Sequence, residues 1–442
     1  MGSFSTDGGV QESPVYGVKL SSVVPAGVTR DKKDRKLTSM DLIMKLHYLK
    51  GLYFFSKDAV EGLQIMDLKK PMFQLLDLCS AAAGRIRRSD SGRPFIKCND
   101  GGVRIIEAQT NFTLHEWLRI NDWSLHSLLV SNQVLGPELG FSPLILLQFT
   151  WFRCGGMSLG LRWAHVLGDA FSASRFINLL GHIMAGHAPP KLLNLQEPAP
   201  PTSSKSNTGS QSQMLSAKQI EPVGDYWLSI NNCKMGLYTF QITASRLTQL
   251  QSKISSGSDI NPISPFEALS VVIWQSMARI REHKEPRIVT ICRNHSNDRE
   301  TRILSLINNQ IFSTVEVDFS VVNAKLSELA ALIVQGSVEE VNLIEETVER
   351  DQGLSDFIVY GRNLTFVDLE EAEIYGLGIK GHKPVFANYA IDGIGDQGVV
   401  IVLPGPENGE EHGSGGRIVT ISLPEDQLLQ LKGELSKEFC IA

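Results

Sequence analysis

The sequence predicts a mixed α/β (α+β) protein of two domains, and three observations predict it. The chain has 442 residues, 42% hydrophobic and 20% charged, enough apolar material for two cores of ordinary domain size. Stretches of strand-like and helix-like apolar spacing follow one another along both halves. Between the halves lies a tract with Pro189, Pro190, Pro198, Pro200, Pro201 and a serine-rich run from Ser203 to Ser212, too polar to bury a core. The expected division is residues 1–188 as an N-terminal domain, 189–222 as a flexible linker and 223–442 as a C-terminal domain. Native proteolysis is expected to cut first between about Pro189 and Val223, and early cleavage inside Leu144–Met184 would contradict the division.

In chain order, residues up to about Lys36 hold an opening strand and a solvated charged turn, Arg30 to Lys36. Thr38 and Asp41 are spaced as a helix-capping pair before Leu42, Ile43 and Met44. Gly51 to Phe55 reads as a buried strand, and Met72, Leu75, Leu76, Leu78 and Cys79 as a helix ending before Gly84. Pro94–Cys98 and Val103–Glu107 flank Asn99-Asp100-Gly101-Gly102, which predicts a hairpin. Met157, Leu159, Leu161 and Trp163 alternate with Ser158, Gly160, Arg162 and Ala164, the pattern of a strand buried on one face. His165 continues its apolar side. Ala173, Phe176, Ile177, Leu180, Ile183 and Met184 then follow helical spacing, with Asp169 where the helix begins. After the linker, Val223 to Trp227 restarts ordered structure, Pro265–Ile280 reads as a helix, and Ile288–Cys292 and Val399–Leu403 read as strands.

Several function classes are disfavoured. The net charge of −6 is spread without a basic stripe, so neither a nucleic-acid groove nor a membrane-surface patch has electrostatic support. The start of the chain lacks the pattern of a secretory signal and no window is apolar enough to span a bilayer, which predicts a cytosolic protein. Cys79, Cys98, Cys154, Cys233, Cys292 and Cys440 have no paired spacing and read as reduced core thiols. The histidines do not pair on one helix, so no metal site is expected. Gly156-Met157-Ser158-Leu159-Gly160 imitates a hydrolase elbow inside a strand, and Gly376 to Gly381 and Gly393 to Gly398 imitate dinucleotide fingerprints that are better read as turns.

The residue types leave two readings of the strand end open. His165 is a general base for an alcohol, amine or thiol, or it is a satisfied core histidine with Asp169 as the cap of the following helix.

The run Phe152-Arg153-Cys154-Gly155-Gly156, followed by His165-Val166-Leu167-Gly168-Asp169, resembles the His-x-x-x-Asp signature of the plant BAHD acyl-CoA-dependent acyltransferases. Ser22 to Ala26, Leu37 to Asp41, Ala83 to Ile86 and Cys98 to Val103 with Glu107-Ala108 stand in that family's order. Within the family the chain is most similar to the eceriferum (glossy) branch, through Val18 to Pro25, Met44 to Tyr48, Val134 to Pro137, Trp163-Ala164-His165 and Asn232 to Gly236. The resemblance implies two chloramphenicol-acetyltransferase-like domains with a tunnel between them, His165 being reachable from both mouths. It implies acyl-CoA as substrate and no permanently bound cofactor. His165 would be the general base, and Asp169 would orient its turn by holding an arginine of the second domain.

This sequence departs from the family at the supports of that site. The run expected to supply the arginine registers with Arg293-Asn294-His295-Ser296-Asn297, which leaves Arg293 as the available partner of Asp169. The late Asp-Phe-Gly-Trp-Gly motif registers with Ile374, Tyr375, Gly376, Leu377 and Gly378, its aspartate replaced by isoleucine unless Glu373 stands in after a one-residue slip. Two readings follow. In one the chain is an acyl-CoA-dependent O- or N-acyltransferase. In the other, which the eceriferum branch implies, it works with a 3-ketoacyl-CoA synthase in elongating very-long-chain acyl chains for cuticular wax. In that reading the chain is otherwise a monomer, is held at the cytosolic face of the endoplasmic reticulum by its partner, and is also expected in the cytosol and nucleus.

Overall fold

Two sheets organise the molecule. The computed structural model describes residues 13–29, 33–120, 123–229, 231, 233–255, 263–281, 283–294, 306–406 and 415–439, except 189–213. The first sheet has six strands in the spatial order Val15–Val23, Val103–Thr110, Ile145–Phe152, Met157–Ala164, Tyr48–Phe55 and Phe386–Asp392. The second runs Met235–Ile242, Arg417–Pro424, Val399–Pro404, Leu364–Asp368, Ile288–Asn294, Gln310–Glu316 and Val338–Glu339. Helices Ile65–Leu78 and Ala170–Met184 pack together beside the first sheet, and Pro265–Ile280 is packed by Leu326–Gln335 and Glu425–Phe439 beside the second.

Local signals act as the sequence predicts where they are self-contained. Thr38 and Asp41 exchange the two hydrogen bonds of a capping box, and Ser264 and Glu267 do the same before Pro265–Ile280. The Met157–Ala164 strand puts Met157, Leu159, Leu161 and Trp163 into the main core. Its opposite face, expected to be open, is buried as well, and carries Gly160, where a Cβ would lie 2.0 Å from the Leu129 carbonyl. Glycine is therefore the residue that fits there.

Three expectations are corrected. The hairpin at Asn99–Gly102 does not form: Pro94–Lys97 pairs with Arg85–Arg88 and Asp34–Lys36, whereas Val103–Thr110 pairs with Val15–Val23 and Ile145–Phe152. The turn is a corner between two sheets, fastened by the Arg85 guanidinium, which donates to the carbonyls of Gly84, Gly101 and Gly102.

The division at residue 223 is not a division in space. Trp227 is buried in the first core, donates its N–H to Leu135 and accepts from the Tyr48 hydroxyl at 2.7 Å. Phe386–Asp392 crosses from the C-terminal half to complete the first sheet against Tyr48–Phe55. Of the expected linker, 189–213 lies outside the described residues, and its end is packed. The buried carboxylate of Glu340 accepts from the N–H groups of Leu215 and Ser216, and Lys218–Ile220 pairs with Asp356–Ile358. Proteolysis is accordingly expected to spare Leu215–Ile220, and peptide mapping of the first cut checks this.

Among the described residues the cysteines are free thiols, of which Cys79, Cys98 and Cys292 are buried. Cys154 is exposed and Cys233 half-exposed, because they sit in turns, and Cys440 lies outside the described residues.

Candidate functional site

The site grows from the end of the Met157–Ala164 strand. Ala164 stands opposite Tyr48, and the His165 N–H donates to the His47 carbonyl at 3.1 Å, so the strand pairing itself sets His165 beside His47. One turn of 3-10 helix, His165–Leu167, then reverses the chain. Gly168 follows because a Cβ there would meet the Ser172 side chain at 2.9 Å and the Ile307 nitrogen at 3.1 Å. Trp163 Nε1 closes the turn by donating to the Gly168 carbonyl at 2.8 Å.

Asp169 caps Ala170–Met184, as the second of the two open readings states. Oδ1 accepts from the Ser172 N–H at 2.8 Å, and Oδ2 accepts from the Asn309 N–H, across the two halves, at 3.0 Å. The expected Asp169–Arg293 pair is corrected. Arg293 binds Glu267 at 2.7 Å and lies over the Phe266 ring, because its strand aims it at the start of the Pro265–Ile280 helix. Main-chain and amide groups of Ile307–Asn309 replace the arginine: the Ile307 main chain exchanges hydrogen bonds with the Ser172 hydroxyl and its carbonyl accepts from the Asp169 N–H, and Asn308 Nδ2 donates to the His165 carbonyl and to Asp41. The arginine that does touch the turn is Arg35, which donates to the Leu167 carbonyl at 2.9 Å. Positions 295–297 lie outside the described residues.

His165 is 0% exposed. The access from both mouths that the resemblance implies is therefore closed at this residue. Its Nε2 lies 3.1 Å from the Tyr360 hydroxyl, which accepts a hydrogen bond from Gln310 Nε2 at 2.7 Å. Burial lowers the pKa of His165, against smaller raising contributions that include the Asp169 carboxylate. His47 packs edge-on to the same tyrosine with ring centroids 5.0 Å apart, and burial lowers its pKa to about 3. Burial likewise raises the phenol of Tyr360 well above its ordinary value. Both imidazoles are thus held neutral.

The degenerate late motif does not reach His165. Ile374, Tyr375 and Leu377 are buried in the main core, Tyr375 being hydrogen-bonded to the main chain of Ala387, and Gly376 abuts Asn178. Gly378 lies against Gly181, where a Cβ on the helix would come within 2.8 Å of its carbonyl. The motif is a seat for the helix that Asp169 caps. Glu373 does not stand in for the missing aspartate, because its side chain is exposed and it is its carbonyl that is used, by Asn178 and the Gly376 N–H.

A cavity of about 900 Å³ lies at the seam of the sheets, lined by Lys50, Leu52, Asn388, Ala390, Leu237 and Lys432 among others. It opens on the face of the first sheet opposite His165, since Leu49, Tyr53 and Tyr389 of the same strands face the main core. Among the described residues no three His, Cys, Asp or Glu side chains are grouped as a metal site.

Sequence reasoning missed His47, Asn308, Gln310 and Tyr360. Only His47 left a signal, as the histidine of the Met44–Tyr48 stretch just before a buried strand.

Comparison with known proteins agrees with this architecture. A family model described as "Transferase family" matches residues 15–438. Protein ECERIFERUM 2 of Arabidopsis thaliana is 42% identical, over 97% of this chain and 99% of that protein. Among solved structures, vinorine synthase superposes with a TM-score of 0.69 at 16% identity, over 96% of this chain and 98% of that one. TRI101 of F. graminearum, in complex with coenzyme A and deoxynivalenol, superposes with a TM-score of 0.69 at 14% identity, over 90% and 97%. The fold is that of these two-domain, chloramphenicol-acetyltransferase-like proteins. With the family model covering almost the whole sequence, the chain belongs to the Transferase family, that of the BAHD acyltransferases.

Proposed function

We propose that this chain promotes the elongation of very-long-chain fatty acyl chains in cuticular wax formation, beside a 3-ketoacyl-CoA synthase and without proton transfer by His165. The observation that carries the reading is the sealed base: His165 has no exposed surface and its Nε2 is occupied by Tyr360. The likeness to ECERIFERUM 2 supplies the process. Acyl-CoA is then the substrate of the partner, and the chain reaches the endoplasmic reticulum through that partner. No helix of the described residues is long and apolar enough to cross a membrane.

Co-expression with a condensing enzyme in a host without wax tests this, reading acyl chain lengths at matched protein abundance. His165→Ala is expected to leave the gain in chain length intact, since an accessory role has no chemical use for the imidazole. Asp169→Ala is expected to reduce it. That change removes a helix cap and takes the carboxylate acceptor from the buried Ser172 N–H and the half-buried Asn309 N–H, at a cost of about 3 kcal/mol. Loss of elongation in a folded, abundant His165→Ala protein would overturn the reading in favour of acyl transfer.

A further inference from the structure

We propose that Tyr360 is an internal plug in the acceptor position: its phenol stands where the hydroxyl of an acceptor would stand, so the base is masked and not lost. The 3.1 Å between Tyr360 Oη and His165 Nε2 is within the reach of a base for the proton it abstracts. Gln310 Nε2 donates into the phenol oxygen, which leaves the phenol proton between two neighbours within hydrogen-bond reach, His165 Nε2 and the Cys292 thiol.

The plug is firmly mounted. The Tyr360 ring is fully buried between His47 and Phe312, at centroid distances of 5.0 and 5.9 Å. On either side, the Val359 N–H donates to His47 Nε2 at 3.2 Å and the Tyr360 carbonyl accepts from the Gly395 N–H at 2.8 Å. Beside the phenol, Gln310 Oε1 is buried without a hydrogen-bond partner. If the ring is removed, the Gln310 amide and His165 Nε2 face room for roughly three waters at ~30 Å³ each, the kind of cavity that water fills. Water then takes the place of the phenol. His165 Nε2 accepts its proton as the oxygen attacks the carbonyl of an acyl-CoA thioester; the C–S bond breaks and the proton passes to the departing sulfur. The products are a carboxylic acid and free CoA thiol.

The test uses the purified full chain with acetyl-CoA and octanoyl-CoA. It compares the unsubstituted protein with Tyr360→Phe, Tyr360→Ala and the double variant Tyr360→Ala/His165→Ala. Tyr360→Ser carries the same expectation as Tyr360→Ala should alanine fail to fold. Modification of His165 by diethyl pyrocarbonate, located by mass spectrometry, is expected to be at least tenfold faster in Tyr360→Ala than in the unsubstituted protein. Tyr360→Phe, which keeps the ring, is expected to stay protected. Thiol release is expected to exceed that of the double variant at least tenfold. A folded Tyr360→Ala or Tyr360→Ser protein whose His165 stays protected would overturn the plug, as would a Tyr360→Phe protein that loses protection. Modification without His165-dependent thiol release would overturn the intact base. None of these readouts touches elongation, so the proposed function stands or falls separately.

Discussion

Lys45→Met is expected to destabilise the protein by about 3–5 kcal/mol, the usual cost of removing one partner from a buried ion pair. Lys45 Nζ lies 2.6 Å from Asp356 Oδ1, with the side chains 3% and 5% exposed. The ammonium also donates to the Ser355 carbonyl at 2.8 Å, and Asp356 Oδ2 accepts from the Val223 N–H at 2.7 Å. Methionine preserves the stem and removes the charge, so the Asp356 carboxyl is left without its partner in a dry site. The double variant Lys45→Met/Asp356→Asn should recover most of the loss, because the amide oxygen still accepts from Val223 and no charge is stranded. Urea unfolding of the single and double variants measures both; a single-variant cost below about 1 kcal/mol would show that water reaches the pair.

Mild acid is the second large effect, and His47 sets its sign. Its folded pKa, about 3, lies below the ordinary histidine value of 6.5, so as pH falls through 6.5 the unfolded chain binds a proton that the folded chain refuses. The stability it contributes is complete above pH 6.5 and declines toward pH 3. At pH 5 the loss is about 2 kcal/mol from this residue alone. His165, also lowered by burial, adds to the loss. Asp368 opposes it: burial raises its carboxyl to about 6, so protonation below that pH relieves the folded state. The decisive measurement is therefore a difference, the urea midpoint from pH 7.5 to 5 in the unsubstituted protein and in His47→Asn. The variant should show the shallower decline, and identical slopes would mean that His47 is protonated in the fold.

Much of the fold was legible because its signals are local. A capping pair three residues apart, as at Thr38 and Asp41, declares a helix start whatever surrounds it, and strict alternation over Met157–Ala164 declares a strand, although both of its faces and not one are buried. What was misread depends on partners that the sequence does not name. Asn99–Gly102 does turn the chain, but the strands on either side of it pair elsewhere, Val103–Thr110 lying between Val15–Val23 and Ile145–Phe152, partners distant in sequence. Arg293 was assigned to Asp169 by register with a family pattern, whereas its charge found Glu267, nearer on the surface of its own half. His47 and Tyr360 each look like ordinary core residues in sequence. Connections of well over a hundred residues bring them to His165, and no short-range pattern records that meeting.

The crossing strand Phe386–Asp392 has a consequence for synthesis on the ribosome. Until residue 392 has emerged, the Tyr48–Phe55 strand presents an unpaired edge, Gly51 and Tyr53 lack the Tyr389 side chain that covers them, and Lys50 and Arg162 lack the carboxylate of Asp392. The N-terminal half must therefore wait, incompletely sheeted, while more than two hundred further residues are made, a delay of about ten seconds or more at ~5–20 residues per second. That interval is when a nascent chain is most open to chaperones and to mispairing with its neighbours. A gene cut after residue 188 would encode an exposed sheet edge in place of a domain.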